Sequence, residues 1–147
     1  MSVWVSSFPV LQLSTEIGNS SAIADRLHTL PFVENVGMSA QSPLEGYSGM
    51  PCVDEQGNLL FSCRWDIIDH NYIPSMQMRI VQGRNFFPTD GADKVIVNEK
   101  YVEMRGWEDS PIGKIIYDGS GKSFEIVGVV ADFRMMSTGV TEPIVMH

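Results

Sequence analysis

The tract Lys94–Phe133 constrains the fold of this chain more than any other part of the sequence. It begins with a run at 94–97 that is typical of a buried strand, and Asn98 follows as a residue that caps helices well. The segment 99–105 ends at Gly106, and glycine readily adopts the left-handed conformation that closes a helix. Further on, Gly128 interrupts an apolar run, which is typical of a bulge or of a close backbone approach. This order predicts a strand, a helix over 99–105, and then more strand.

Two β-hairpins are also predicted, one in each half of the chain. The sequence Gln56-Gly57-Asn58 separates two strand-like runs, and Gly and Asn tolerate the positive φ angles of tight turns. A second turn is centred near Gly119-Ser120. The sequence GSGK at 119–122 lacks the spacing of a phosphate-binding loop, and no long helix follows it. We therefore interpret it as a hairpin turn, and the sequence predicts no cofactor.

The rest of the chain adds short strands and one more helix. One or two strands are predicted within 3–14, others over 33–39 and 79–87, and a final extended segment over 141–147. A helix over 22–30 places Ile23, Leu27 and Leu30 on one apolar stripe. The predicted fold class is α+β, mixed and β-rich with short helices.

Charge and hydropathy exclude some classes of function. The 147 residues include 18 acidic and 10 basic side chains, for a net charge of −8. Nucleic-acid phosphates repel such a chain, so we predict no nucleic-acid partner. No apolar run approaches the roughly 18 residues that span a bilayer, and no signal peptide is recognisable. Composition fits either a cytosolic protein or a fragment separated from its targeting segment.

No catalytic, metal or cofactor site stands out among the titratable residues. Asp66, Asp69 and His70 suggest a metal site, but no second cluster of ligands accompanies them, which favours capping and surface roles. His28 and His147 are far from them in sequence, and no serine lies in a nucleophile-elbow pattern. The nine methionines fit core packing better than an adaptable partner surface.

The segment 95–136 resembles the periplasmic core domain of MacB/FtsX-like ABC-transporter permeases. That domain has a strand ending in Val-Asn-Glu, a short helix ending in Gly, then Pro-Ile-Gly-Lys and a hairpin closed by Val-Gly-Val-Val-x-Asp-Phe. Upstream, Tyr72, Met76 and the Gly-Arg-x-Phe sequence at 83–86 fit as well. The resemblance covers about residues 20–145. The matching motif residues are Asn98, Glu99, Gly106, Pro111, Gly113, Gly128, Asp132 and Phe133.

The resemblance implies one extracytoplasmic domain over 1–147, tethered to the inner membrane in the full-length protein and located in the periplasm. It implies an α/β porter-like lobe at about 1–45, a β-hairpin-rich lobe at about 46–147, and truncation at the C-terminal end. The implied function is non-catalytic: coupling ATP-driven motion of the membrane dimer to export or hand-over of a substrate. Implied partners are a second permease copy or paralogue, an ATP-binding subunit acting across the membrane, and a periplasmic adaptor or carrier protein. The alternative is an extracytoplasmic module that binds a ligand or signal.

Cys52 and Cys63 flank the first predicted turn. Counting outward from a turn centred between Gly57 and Asn58 places them opposite each other, about 4.5–5.5 Å apart between Cα atoms. That distance is within the range of a disulfide, which an oxidising periplasm permits. The alternative is two free thiols buried as small apolar groups.

Overall fold

The structure is a computed structural model that describes residues 2–6, 11–14, 18–41, 49–133 and 141–147. These residues form short helices among more abundant strands, which confirms the predicted α+β class. No helix within these ranges has the length and apolarity to cross a membrane.

The N-terminal strands form a small antiparallel sheet. Its strands are β1 (Ser2–Ser6), β2 (Leu11–Ser14) and β3 (Asn35–Ser39), in the order β2-β1-β3. Helix α1 (Ser20–His28) packs against this sheet because Ala24 meets Val3 and Val36 in one buried cluster. The helix begins two residues before the predicted 22 and ends two residues before the predicted 30.

The remaining strands form a seven-stranded mixed sheet. They are β4 (Met50–Val53), β5 (Leu59–Asp66), β6 (Ile80–Gly83), β7 (Lys94–Asn98), β8 (Ile115–Asp118), β9 (Ser123–Val130) and β10 (Ile144–Met146). Helix α2 (Tyr72–Ser75) follows β5, and α3 (Glu99–Arg105) follows β7. Both predicted hairpins are confirmed, as β4–β5 and β8–β9.

This second sheet closes on itself. The strand order is β6-β9-β7-β10-β5-β4-β8, and β8 pairs with β9 as well as with β4. Six strands therefore form a ring, which we call the closed sheet, and β6 extends it at one edge of β9. Strands β7 and β9 run parallel, as do β10 and β5. The closed sheet thus combines local hairpins with pairings between distant parts of the chain.

Apolar side chains fill both faces of the central strands. Alternate residues of a strand point to opposite faces, so Val95 and Val97 lie inside the closed sheet while Ile96 lies outside. The inner cluster also holds Trp65 and Tyr101. The outer cluster is covered in part by α2 through its buried residues. The middle of the domain is therefore buried on both sides.

The two sheets meet where β3 packs on α2. A side-chain carbon added at Gly37 would lie 2.5 Å from the Tyr72 Cα atom. Asp69, just before α2, accepts a hydrogen bond from the Met38 backbone N–H at 3.0 Å and donates its own N–H to the Met38 carbonyl at 3.0 Å. Backbone contact of this closeness leaves no space for a side chain at position 37.

Some predictions of the sequence fall outside the described residues or need correction. The lobe boundary near residue 45 lies within 42–48, outside the described residues, so the division into two lobes stays a prediction. The strand predicted over 79–87 is wrong in length, because β6 ends at Gly83. Arg84 leaves the strand and forms a two-pronged ion pair with Asp90, at 2.7 and 3.0 Å, which draws 84–90 into a loop.

Candidate functional site

Three of the motif residues that carry the resemblance, Asn98, Glu99 and Asp132, meet at one end of the closed sheet. Asn98 is fully buried where β7 passes into α3. Its side-chain oxygen accepts the N–H groups of Tyr101 at 3.1 Å and Ile144 at 2.9 Å, and its amide donates to the Glu142 carbonyl at 2.7 Å. One side chain therefore caps α3 and also holds the start of β10.

Glu99 and Asp132 connect the same helix to β9. The Glu99 carboxylate accepts the Asp132 backbone N–H at 3.1 Å, and the Asp132 carboxylate accepts the Lys100 N–H at 2.8 Å. Parallel strands β7 and β9 end at the same edge of the sheet, which brings residues far apart in sequence together. We call Asn98, Glu99 and Asp132 with their backbone partners the motif junction.

The remaining motif residues lie outside the motif junction, at the end of α3, before β8, in β9 and just after Asp132. Gly106 closes α3 in the left-handed conformation, with φ 67. The Gly113 N–H donates to the Ile126 carbonyl at 2.8 Å, at the entrance to the second hairpin behind the buried Pro111. Gly128 faces Gly83 across the β6–β9 pair. Phe133 packs on the outer cluster.

A half-open apolar cleft lies between the loop after β6 and the end of β10. Its volume is about 380 Å³. Phe87 and Ile67 stand exposed on its walls, with 56% and 53% of their surfaces accessible. The Arg84 guanidinium lies 4.0 Å from the Phe87 ring centre and fixes its position. His70, Asp90, Lys94 and His147 add polar atoms to the lining.

The two cysteines are close but are not directly opposite. Cys52 pairs with Phe61 and Cys63 with Met50, so the predicted register is wrong. The two thiols are not bonded to each other, and both are fully buried inside the closed sheet. The Cys52 sulfur lies 2.9 Å from the Tyr101 hydroxyl and 3.9 Å from the Arg105 guanidinium. This polar cluster is unusual within an apolar interior.

A buried ion pair lies on the outer face of β5. Arg64 and Asp66 approach to 3.7 Å, with 3% and 4% of their side chains accessible. Burial raises the pKa of Asp66 to about 6, although the Arg64 charge and the N–H of Gln41, which Asp66 accepts at 3.1 Å, oppose that rise. The carboxylate is therefore less favourable in the folded chain than in the unfolded chain.

This shift predicts a pH dependence of stability. Because the folded pKa of Asp66 lies above its unfolded value, folding favours the protonated form, and stability from this group is lost as pH rises from about 4 to about 6. Asp66→Asn removes that loss. We therefore expect the difference in free energy of unfolding, variant minus wild type, to increase by about 2–3 kcal/mol from pH 4 to pH 7.5. Urea unfolding across this range measures the difference, with the exposed Asp25→Asn as control. Parallel profiles for wild type and Asp66→Asn would contradict the assignment.

The acidic and histidine side chains considered from the sequence do not form a metal site in the ranges that the structure describes. No three His, Cys, Asp or Glu side chains converge on a metal position there. Asp66 and Asp69 accept backbone N–H groups, whereas His70 lines the apolar cleft. In the turn at 119–122, Asp118 accepts the N–H groups of Ser120 at 2.9 Å and Lys122 at 3.0 Å, so these two N–H groups already bind a carboxylate.

Comparisons with known proteins agree at the level of the fold. No family model and no curated protein matches the sequence. The periplasmic region of MacB from Actinobacillus actinomycetemcomitans superimposes with a TM-score of 0.62 at 16% identity, over 99% of this chain and 63% of that one. The extracellular domain of the ABC-type transporter YknZ from Gram-positive bacteria gives 0.60 at 19% identity, over 99% and 72%.

A domain of a permease protein from Porphyromonas gingivalis gives a TM-score of 0.62 at 17% identity, over 99% of this chain and 62% of that one. The chain thus spans less than two thirds of the MacB and Porphyromonas domains. Identities this low establish the architecture alone. The described chain has the fold of the extracytoplasmic domains of MacB-type ABC-transporter permeases.

Proposed function

We propose that this chain is a non-catalytic extracytoplasmic domain of an ABC-transporter permease. In this role it is tethered to the inner membrane, lies in the periplasm, and couples ATP-driven motion of the membrane dimer to export or hand-over of a substrate. The observation that carries the proposal is the match to three such domains over 99% of the chain. Its partners are a second permease copy or paralogue, an ATP-binding subunit across the membrane, and a periplasmic adaptor or carrier protein.

The motif junction suits a part that transmits motion. Asn98 links β7, α3 and the start of β10, and the Glu99–Asp132 pair links α3 to β9. The strands involved are buried on both faces. Because packed interiors resist deformation, a force applied to one of these elements moves them together. Such rigidity supports the coupling role.

Deletion of the domain from the intact permease tests this role. Replacing it with a flexible linker is expected to reduce export to the level of cells without the permease, because the moving part is lost. The membrane level of the permease and ATP binding by its partner subunit should stay near wild type, as measured by immunoblot and nucleotide titration. Export that survives in membranes holding normal amounts of the variant would contradict coupling.

The apolar cleft favours a second candidate, a module that binds a ligand or signal. Ligand sites are concave and combine apolar walls with a small number of polar groups. The cleft combines the apolar walls of Phe87 and Ile67 with four titratable side chains, those of His70, Asp90, Lys94 and His147. Under this candidate, Ile67→Asp in the intact permease abolishes the response to the ligand while the domain remains folded.

Leu59→Asp provides a matched control, because Leu59 is exposed to 66% and does not line the cleft. Under this second candidate, transport that responds to the ligand falls at least about tenfold for Ile67→Asp and little for Leu59→Asp. The reason is that a charge buried beneath the bound ligand disrupts apolar binding. Equal transport by both variants would exclude the cleft as a functional site. Circular dichroism of the isolated domains checks that both fold.

A further inference from the structure

Cys52 and Cys63 are diagonal neighbours on one face of the β4–β5 hairpin. Cys52 pairs with Phe61, and Cys63 lies two residues further along β5. Because strand side chains alternate between faces, Phe61 and Cys63 point the same way, and both cysteines belong to the inner cluster. The two thiols therefore face the same interior from diagonal positions of the hairpin.

The surroundings make the two thiols chemically different. The Tyr101 hydroxyl at 2.9 Å and the Arg105 guanidinium at 3.9 Å both stabilise a negative sulfur at Cys52. The hydrogen bond from Cys63, then those from Tyr101 and Arg105, lower the pKa of Cys52 to about 6 against the opposing effect of burial. The hydrogen bond to Cys52, together with burial, raises the pKa of Cys63. Since the thiolate is the nucleophile, Cys52 is the thiol that attacks first.

We propose that Cys52 and Cys63 form an intrachain disulfide through a mixed disulfide at Cys52. The oxidant is a small disulfide such as glutathione disulfide. Both thiols are fully buried, so the reaction takes place when the β4–β5 hairpin opens. In the open hairpin, the Cys52 thiolate attacks one oxidant sulfur and releases one glutathione thiolate. Cys63 then loses its proton to solvent, and its sulfur attacks the Cys52 sulfur and releases the second glutathione. Two protein thiols are oxidised to one disulfide, and one glutathione disulfide is reduced to two thiols.

Bond formation requires a small movement of β4. Diagonal neighbours in an antiparallel pair lie about 7–8 Å apart between Cα atoms, beyond the roughly 4.4–6.8 Å that a disulfide usually spans. The register of β4 already shifts between Cys52 and Val53, and Met50 and Pro51 are exposed at its start. Oxidation also removes the negative sulfur that Tyr101 and Arg105 contact. Because Tyr101 and Arg105 belong to α3, the redox state of the two cysteines affects how α3 packs on the hairpin. This inference does not depend on the proposed transport role.

Thiol counting together with intact mass tests the proposal. One sample of reduced, folded protein is incubated with glutathione disulfide, and a second is refolded from denaturant in the same buffer so that burial cannot block the reaction. We expect the refolded monomer to lose both thiols and two hydrogen atoms and to retain no glutathione. Two free thiols after refolding, or glutathione on both cysteines, would overturn the proposal.

Single variants test the order of attack. In folded Cys63→Ser, we expect one glutathione to accumulate, and peptide mapping should place it on Cys52. In folded Cys52→Ser, Cys63 should react about tenfold more slowly, because its thiolate is scarcer. Equal rates would overturn the assignment of Cys52 as the attacking thiol. If either variant fails to fold, the pH profile of wild-type oxidation decides, and its midpoint should rise in Arg105→Leu.

Discussion

Asn98→Ala is expected to lower the free energy of unfolding by about 3–5 kcal/mol, because three backbone groups lose their partner at once and two of the three hydrogen bonds are fully buried. The variant leaves the N–H groups of Tyr101 and Ile144 without an acceptor and the Glu142 carbonyl without a donor. Loss of an ordinary helix cap costs only about 1 kcal/mol. The size of the effect therefore distinguishes a cap from a junction. Urea unfolding of the isolated chain measures it.

Asn71→Ala is the matched control for this experiment. Asn71 is the N-cap residue of α2, but its side chain makes no capping hydrogen bond. Its replacement should change the free energy of unfolding by about 0.5 kcal/mol or less, as is usual where no such bond is lost. If Asn98→Ala also costs no more than about 1 kcal/mol, then Asn98 does not hold β10, and the junction lacks the rigidity inferred for it.

The local parts of the fold are predictable from the sequence. Helix α3 spans 99–105 as predicted because its start and its end are both set by single residues, the capping Asn98 and the left-handed Gly106. The hairpins form where Gly57 and Gly121 adopt positive φ angles. In each case neighbouring residues supply the whole signal, and no distant contact competes with it.

The contacts between residues far apart in the sequence could not be predicted from neighbouring residues. Closure of the sheet depends on β10, which has only three residues and pairs in parallel with β5 and antiparallel with β7. Nothing within Ile144–Met146 identifies these two partners. The Glu99–Asp132 bonds join positions separated by 33 residues. The sequence marks both residues as parts of one motif, but their contact follows from the parallel pairing of β7 and β9.

The cysteine register shows how a local prediction fails. Counting from the centre of the turn assumes one residue on β4 for each residue on β5. The Asp54 carboxylate instead accepts the N–H groups of Gln56 at 2.9 Å and Asn58 at 2.8 Å, which tightens the turn toward β4. An irregularity between Cys52 and Val53 then shifts the pairing again. Cys63 consequently faces Met50, although it stays on the same side of the hairpin as Cys52.

The apolar cleft was missed because its walls come from separate segments. Phe87 was expected within a strand, where an aromatic residue is ordinary. The Arg84–Asp90 ion pair instead ends β6 and turns Phe87 outward, toward Ile67 and the end of β10. A signal was present in the two adjacent phenylalanines, since one strand cannot bury both on the same face. Without the position of β10, that signal does not specify a cleft.

Gly128→Ala is expected to destabilise the chain by about 3 kcal/mol or more, because the new methyl group has no space. It would lie 2.2 Å from the Arg84 carbonyl oxygen and 3.4 Å from the Ile96 side chain. The first contact is with backbone that the β6–β9 pair holds in place, so it cannot be relieved by rotating a side chain. Relief requires separating β6 from β9, which would expose part of the outer cluster. Thermal and urea unfolding of the isolated chain measure the cost.

Gly106→Ala separates this steric effect from the general cost of replacing a motif glycine. Nothing lies within 4 Å of a side-chain carbon at Gly106, but its φ of +67 is unfavourable for alanine. A left-handed conformation costs a non-glycine residue roughly 1–2 kcal/mol, so this variant should fold with a modest loss. Similar losses of unfolding free energy for the two variants would mean that β6 separates from β9 at little cost. The closed sheet would then be softer along β9 than its packing indicates, and the case for a rigid coupling element would weaken with it.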